Sequence, residues 1–252
     1  MIMENISKNL VRSDNETESV RLNKYMSDAG FCSRREADRL IENGKVLIDG
    51  VPAQLGQKVL PGQVVSVEGK ILKPTDKLIL LAFHKPIGIE CTTDLKNPHN
   101  IIDYINYPER IYPIGRLDKN STGLILLTNT GEIVNRILKA SNYHEKEYLV
   151  SVDKEIDESF LVKMRSGVRI FLEDGKKEVM TRKCVVKRIG KKEFSIILTQ
   201  GLNRQIRRMC EELGYKVTSL KRIRIMNIHL GGLKEGKYRQ LSEEEIKELV
   251  KE

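Results

Sequence analysis

No uninterrupted apolar stretch among the 252 residues approaches the roughly 18 that a membrane-spanning helix needs, and nothing resembles a signal peptide. The expectation is a cytoplasmic protein with no membrane partner. Cysteine is scarce: Cys32, Cys91, Cys184 and Cys210 lie far apart and form no CxxC pair, which argues against a zinc site and a disulfide framework and leaves four reduced thiols. The histidines His84, His99, His144 and His229 are equally dispersed and have no ligand spacing, so no metal is assigned. Internal repeats and low-complexity tracts are absent as well, which removes solenoid and fibrous classes.

What is present is a globular composition with a basic excess. Hydrophobic residues make up 40% of the chain, ample for at least one buried core, and 44 Lys and Arg stand against 35 Asp and Glu. The net charge of +9 and the pI near 9.3 favour a polyanionic partner, with nucleic acid the leading candidate. The densest positive stretch runs from 201 to 224, where seven basic residues (Arg204, Arg207, Arg208, Lys216, Lys221, Arg222 and Arg224) face two acids, Glu211 and Glu212.

The pattern divides the chain into four parts. Residues 1–19 lack periodicity and read as a flexible lead-in. Residues 20–68 read as helix, turn, helix, strand and hairpin. Gly30 suits a helix end, Ser33 with Glu36 makes a capping box, Ala37, Leu40 and Ile41 form one apolar stripe, and Asn43-Gly44 closes the second helix. Asp49-Gly50 between two short extended runs is a hairpin turn, and residues 69–77 read as a linker. From 78 to 252 apolar strands ("LILLAF", "GLILLTN", "KEYLVSVD", "EFSIILTQG") are interleaved irregularly with helices. One helix is expected in "GEIVNRILKA" with Val134, Ile137 and Leu138 on one face, capped by Thr128 and Asn129. Another lies in "RQIRRMCEELG" with Ile206, Met209 and Cys210 inward, and a last one is boxed by Ser242 and Glu245. The irregular alternation points to an α+β domain on a mixed, mainly antiparallel sheet with flanking helices.

One segment stands out. "GRLDKNSTGLILLTNTG" places Arg116 and Asp118 in a polar loop ahead of the apolar run Leu124–Leu127. A carboxylate beside apolar strands needs a compensating cation, and Arg116 or one of the arginines at 204, 207 and 208 can supply it. From residue types alone this is equally a loop salt bridge. Tyr148, alternating with Leu149 and Val150, is on the same basis a core or edge tyrosine.

The longer motifs carry a resemblance. "RLNKYMSDAGFCSRREADRLIENGKVLIDGVPA" is similar to an S4 domain, a small RNA-binding module. The likeness implies phosphate contacts from Arg21, Lys24, Arg34, Arg35 and Arg39, although Glu36, Asp38 and Glu42 on the same helix also allow a plain solvated face. "HKPIGI", "GRLDKNSTGLILLTNTG", "HEKEYLV" and "QGLNRQIRRMCEELGY", in that order, resemble the motifs of bacterial ribosomal pseudouridine synthases, a family with a small-subunit type A and large-subunit types B, E and F. The likeness is closest to type F. The similarity covers residues 20 to 242. It departs at Thr130, where family members often carry Asp, a change expected to affect capping more than catalysis.

The resemblance implies isomerisation of uridine to pseudouridine in 23S rRNA, either free or in an assembly intermediate, with tRNA as a further candidate substrate, and no cofactor. Asp118 matches the catalytic aspartate and would attack C1′ or take a sugar proton. Arg207 would be its ion-pair partner. Arg116 would fill the gap left by the flipped base, Tyr148 would stack on that base, and Leu202 would pack its other side. Lys85 in "HKPIGI" is expected to order its loop at the RNA-binding face, with Arg204 and Arg208 contacting RNA. No feature demands more than a monomer. Three rivals stay open: a pseudouridine synthase of another ribosomal subtype, a noncatalytic RNA-binding or assembly protein that works through the S4-like module, and a glycoside hydrolase. The last would need two cooperating carboxylates, and the matched motifs supply one.

Overall fold

The computed structural model describes residues 19–74, 77–138, 143–172, 175 and 177–251. The lead-in expected at 1–19 falls outside these apart from Ser19. The chain forms two compact units, the first running through Leu80 and taking in Tyr107–Tyr112 and Thr128–Val134, the second comprising the rest.

The first unit begins with β1 (Val20–Arg21), α1 (Leu22–Asp28) and α2 (Arg34–Glu42), followed by β2 (Val46–Ile48), β3 (Val51–Pro52), β4 (Lys58–Val59), β5 (Val65–Val67) and β6 (Lys70–Leu72). Helical spacing sets the core: Leu22 and Met26 on α1 and Ala37 and Ile41 on α2 are buried at i, i+4, against Val46, Ile48, Val65 and Val67, which alternate inward from β2 and β5. Asp49 (φ 51°) and Gly50 (φ 80°) turn the β2–β3 hairpin, and the Asp49 carboxylate accepts from the Val64 amide at 2.8 Å.

Two details differ from expectation. Ser33 caps α2 by accepting from the Glu36 amide, but the Glu36 carboxylate turns instead to Arg39, 3.2 Å away, so half of the box is made. The stretch expected as a linker starts as β6, because Ile71 and Leu72 pair with Ser66 and Val65 and Leu72 completes the core.

Most of the chain from Leu80 onward is organised by one sheet. In chain order come β7 (Leu80–Lys85), α3 (Ile101–Ile105), β8 (Tyr112–Ile114), β9 (Thr122–Thr128), α4 (Gly131–Leu138), β10 (Lys146–Val152), α5 (Glu158–Ser166), β11 (Arg169–Leu172), β12 (Lys177–Met180), β13 (Val185–Gly190), β14 (Glu193–Leu198), α6 (Gln205–Glu212), β15 (Val217–Ile225), β16 (Ile228–His229), β17 (Tyr238–Gln240) and α7 (Glu243–Val250). The strand order is β13-β14-β10-β15-β9-β7-β17, with β8 beside β9 and β16 beside β15. β10 pairs antiparallel with both β14 and β15, whereas β15 and β9 run parallel. The sheet is therefore mixed and mainly antiparallel.

Its core joins Tyr148, Val150 and Val152 of β10 to Phe194 and Ile196 of β14, to Phe160 and Met164 of α5, and to Ile206, Met209 and Cys210 of α6. Each such apolar side chain contributes about 1.5–3 kcal/mol by leaving water, which pins α6 against the sheet. α7 carries the complete Ser242–Glu245 capping box.

α4 corrects two readings. Ile133 and Ile137 are its buried pair, while Leu138 is 42% exposed. Asn129 does not cap it: its side chain accepts from the Ile79 amide at 3.0 Å and donates to the Lys77 carbonyl at 2.7 Å, and the Thr128 hydroxyl accepts from the Thr130 amide.

The parallel contact between β9 and β15 pairs Gly123 with Arg222. Gly123 has φ 111°, and a Cβ there would overlap the backbone nitrogen, carbonyl carbon and oxygen of Arg222. Only glycine allows this approach. Gly123→Ala is expected to destabilise the protein by at least about 2 kcal/mol in urea unfolding, against about 1 kcal/mol for Gly50→Ala, whose positive φ faces open space. Equal losses would mean that φ alone, and not the strand contact, demands the glycine.

Candidate active site

The loop between β8 and β9 alternates its side chains. Arg116 is exposed, Leu117 is buried in the core, and Asp118 is half-buried. Backbone contacts hold this alternation: the Leu117 amide donates to Cys91 Sγ at 3.4 Å, the Cys91 thiol donates back to the Leu117 carbonyl at 3.3 Å, and the Ser121 amide closes a turn on the Asp118 carbonyl at 3.0 Å.

Asp118 opens onto a cavity of about 510 Å³, and with Arg116, Arg204 and Asn120 it also borders a smaller one of about 310 Å³. The larger is of a size to take a nucleotide. Its wall includes Arg116, Asp118, Tyr148, Leu202, Arg204 and Arg207, together with Lys146 and Arg222, and Asp118 is the single acid among its lining residues. Residues from four distant stretches of sequence are thus brought to one place.

Tyr148 is 8% exposed, and its hydroxyl has no hydrogen-bond partner among the described residues, so the ring is gripped by the core along β10 while its polar end is unclaimed. Leu202 packs against the same core, and its amide donates to Gln205 Oε1 at 3.0 Å ahead of α6. Arg204, at the N-terminus of α6, holds a left-handed φ of 52° and leaves its side chain exposed at the rim of both cavities.

Arg207 does not make the expected contact ion pair. Its Nη2 donates to the Asn120 carbonyl at 2.7 Å and the Ser121 hydroxyl at 3.2 Å, and its Nη1 to the Val217 carbonyl at 3.4 Å; among the described residues no carboxylate lies within 4.0 Å. Arg207 therefore braces the turn that carries Asp118 and leaves the carboxylate oxygens free. Burial and the neighbouring Arg204 lower its pKa, and the charge of Asp118 opposes that shift.

Two cations in this wall were not singled out from the sequence. Arg222 on β15 is 4% exposed, with Nε donating to the Leu124 carbonyl at 2.6 Å and Nη1 to the Arg116 carbonyl at 3.4 Å. Lys146 at the start of β10 has a lowered pKa, first through burial and then through Arg222. Their strands' charges hid them: β15 buries Val217, Leu220, Arg222 and Ile225, a spacing broken by irregular pairing with β10 and matching no simple period.

Comparison with known proteins matches this arrangement to one chemistry. A model of the RNA pseudouridylate synthase family matches residues 79–212, and an S4 domain model matches residues 20–65. The chain belongs to the RNA pseudouridylate synthase family. It is 52% identical over 235 residues to the dual-specificity RNA pseudouridine synthase RluF of Salmonella typhi and of Escherichia coli K12, covering 92% of this chain and 79% of each relative. It is 38% identical to the ribosomal large subunit pseudouridine synthase B of Bacillus subtilis, over 91% of this chain and 95% of that one. A crystal structure of a pseudouridylate synthase superposes with a TM-score of 0.66 at 28% identity, covering 92% of this chain and all of the other. The protein is thus an RNA-modifying isomerase that converts uridine to pseudouridine.

Within this synthase the remaining expected RNA contacts separate into two groups. Arg21, Arg34 and Arg35 are exposed and make no ion pair among the described residues. Lys24 is instead held between Asp28 (2.9 Å) and Glu132 (3.7 Å), and Arg39 pairs with Glu36, so both are partly neutralised. Arg208 turns away from the cavity to the Phe171 carbonyl and Asn203.

Lys85 lies inside the loop that it is expected to order. It is fully buried at the end of β7, and its ammonium donates to the carbonyls of Pro86 (2.7 Å), Ile89 (2.8 Å) and Lys119 (3.5 Å). It ties the "HKPIGI" loop to the residue after Asp118. Burial brings its pKa down from 10.5 to about 8, although the charges of Cys91 and Asp118 act the other way.

In the unfolded chain this lysine keeps its proton to near 10.5, so between about pH 8 and 10.5 the unfolded state binds more protons and stability rises with pH. Relative to Lys85→Met, the wild type is expected to gain on the order of 3 kcal/mol across that window in denaturant titrations at stepped pH. Parallel curves for the two proteins would show that the buried ammonium is not the titrating group.

Proposed function

We propose that this synthase isomerises specific uridines of 23S rRNA, as the free RNA or in an assembly intermediate, with Asp118 as the reacting carboxylate. The observation that carries this reading is the placement of Asp118 as the single acid in a cavity of nucleotide size, with an aromatic ring and exposed arginines around it. The name of the Bacillus subtilis relative supports a substrate in the large ribosomal subunit, and that of the RluF relatives supports a second RNA, for which tRNA is the proposal.

Asp118 attacks C1′ or removes a sugar proton, and either route needs an oxygen free of a contact ion pair. Arg116 is exposed, at the edge of both cavities, and suited to occupy the gap in the RNA left by the flipped nucleotide. Tyr148 stacks on the extruded base, Leu202 closes the opposite side, and Arg204 meets phosphate at the rim. Lys85 and Arg207 position the loop. The protein acts as a monomer in the cytoplasm, where its ribosomal substrate is assembled.

Asp118→Asn is expected to fold, to bind rRNA within about twofold of wild type, and to lose at least about 10⁴-fold in pseudouridine formation, read by chemical mapping of 23S rRNA. Activity retained in that variant would remove Asp118 from the reaction. On the RNA-binding side, Arg34→Ala and Arg35→Ala are each expected to lower the slope of log affinity against log salt by about one. Lys24→Ala, whose charge is already paired, is expected to leave it nearly unchanged. Unchanged slopes for the two arginines would place the module's phosphate contacts elsewhere.

A further inference from the structure

Arg222 is left unexplained by these roles. Its side chain lines the same cavity as Asp118 and Tyr148, yet it is 4% exposed and has no carboxylate within 4.0 Å among the described residues. Two of its three nitrogens meet carbonyls, Nε that of Leu124 on β9 at 2.6 Å and Nη1 that of Arg116 in the loop before β9 at 3.4 Å, so the guanidinium is anchored on two sides. The third, Nη2, is buried with no acceptor among the described residues. A buried, charged donor with nothing to bond is costly, and such an orphan in a cavity wall calls for an acceptor carried in by the ligand.

Position identifies that acceptor. Arg222 and Tyr148 are directly paired across β15 and β10, and the guanidinium carbon lies 6.0 Å from the tyrosine ring centroid. Cross-strand partners share a face of the sheet. A base stacked on Tyr148 therefore lies alongside Arg222. For phosphate of the same nucleotide the exposed Arg204 at the mouth is the nearer partner, and not a guanidinium sunk to the depth of the ring.

We propose that Arg222 is a further catalytic residue, whose free Nη2 donates to a carbonyl oxygen, O2 or O4, of the flipped uracil and stabilises the negative charge that collects there when the glycosidic bond breaks. The inference rests on the isomerase reading above. The C1′–N1 bond breaks with its electron pair passing into the ring, where N1, O2 and O4 share it, while Asp118 either bonds to C1′ or takes the sugar proton. On rejoining, C5 gives the pair to C1′ as the Asp118–C1′ bond breaks or as Asp118 returns the sugar proton, and the C5 proton then leaves while N1 takes one up, which gives pseudouridine. Arg222 remains protonated throughout. Its donor is fixed before the reaction begins, as charge stabilisation of this kind requires.

The test uses 23S rRNA transcribed with uridine or with 5-fluorouridine, and the full-length wild type, Arg222→Gln and Arg222→Lys. Fluorine withdraws electrons and stabilises the departing ring, so C1′–N1 cleavage in the fluorinated RNA needs less help from the protein. On uridine RNA, Arg222→Gln is expected to lose about 10²–10³-fold in single-turnover rate with RNA affinity little changed. On 5-fluorouridine RNA that deficit is expected to shrink by at least about tenfold, with Arg222→Lys between wild type and Arg222→Gln on both RNAs. A merely structural role would slow both RNAs equally, and that result overturns the proposal.

A second measurement needs no variant. Sulfur is a poor acceptor, so wild type is expected to react at least about tenfold more slowly with 2-thiouridine or with 4-thiouridine RNA than with uridine RNA. Unchanged rates for both also overturn it. Wild type that forms no pseudouridine in uridine RNA would instead reject the choice of substrate, which separates failure of that reading from failure of this one.

Discussion

The site depends on one close approach. β9 and β15 lie parallel where Gly123 meets the backbone of Arg222, and a side chain of any size at 123 would force the strands apart. That contact does two things at once. It brings the loop that precedes β9, with Asp118 in it, beside the strand that follows α6, and it aims the Arg222 guanidinium at the Leu124 and Arg116 carbonyls. Catalytic loop and sheet are then joined through a buried cation instead of through apolar packing alone. A chain that reached the same topology without glycine at 123 would lose both the spacing and the cation's anchors.

Around this contact the site is arranged so that cations bond to backbone and leave the carboxylate alone. Arg207 binds the Asn120 carbonyl and the Ser121 hydroxyl, Lys85 binds the carbonyls of three loop residues, and Arg222 binds two more. Direct ion pairing to Asp118 would stabilise the loop as well, but it would occupy a carboxylate oxygen that in the proposed reaction attacks or removes a proton. Backbone anchoring fixes the same geometry while the charges act from a short distance, which suits a group that must be positioned within tenths of an ångström and remain reactive.

Much of this was legible in the sequence where local chemistry is strong. Asp49-Gly50, Ser242 with Glu245, and the Ile206, Met209, Cys210 stripe each carry their own geometry, and the structure repeats them. What failed did so where a side chain served a distant partner. Asn129 resembles a cap because asparagine beside a helix usually is one, yet its amide is taken by Lys77 and Ile79, some fifty residues earlier in the chain. Lys85 orders its loop through the Pro86 and Ile89 carbonyls, but its depth of burial and its reach to Lys119 are announced by no pattern, since lysine is rarely buried. Arg222 is one of seven basic residues in its stretch, and with Lys221 and Arg224 beside it no pattern marks it as the buried one. At the site, the order of motifs pointed to Asp118, Tyr148 and Leu202. That Arg207 braces the turn without touching the carboxylate could be read only from the folded chain.

The acid count in the cavity decides what chemistry it suits. Hydrolysis of a glycosidic bond uses one carboxyl group to protonate the leaving group and another to attack or to activate water. Here Asp118 is the single acid lining the larger cavity, where the other polar groups are mostly guanidinium and amide, and Glu90, which borders the smaller one, is held by Lys119 at 3.0 Å. A leaving group that cannot be protonated by a neighbouring acid must depart as an anion, and an anion held by fixed donors beside an aromatic ring remains able to react. Rotation and recapture through C5 then compete with escape and with water. In the proposed reaction a fixed donor beside the ring, and not a second acid in the larger cavity, then favours isomerisation over cleavage.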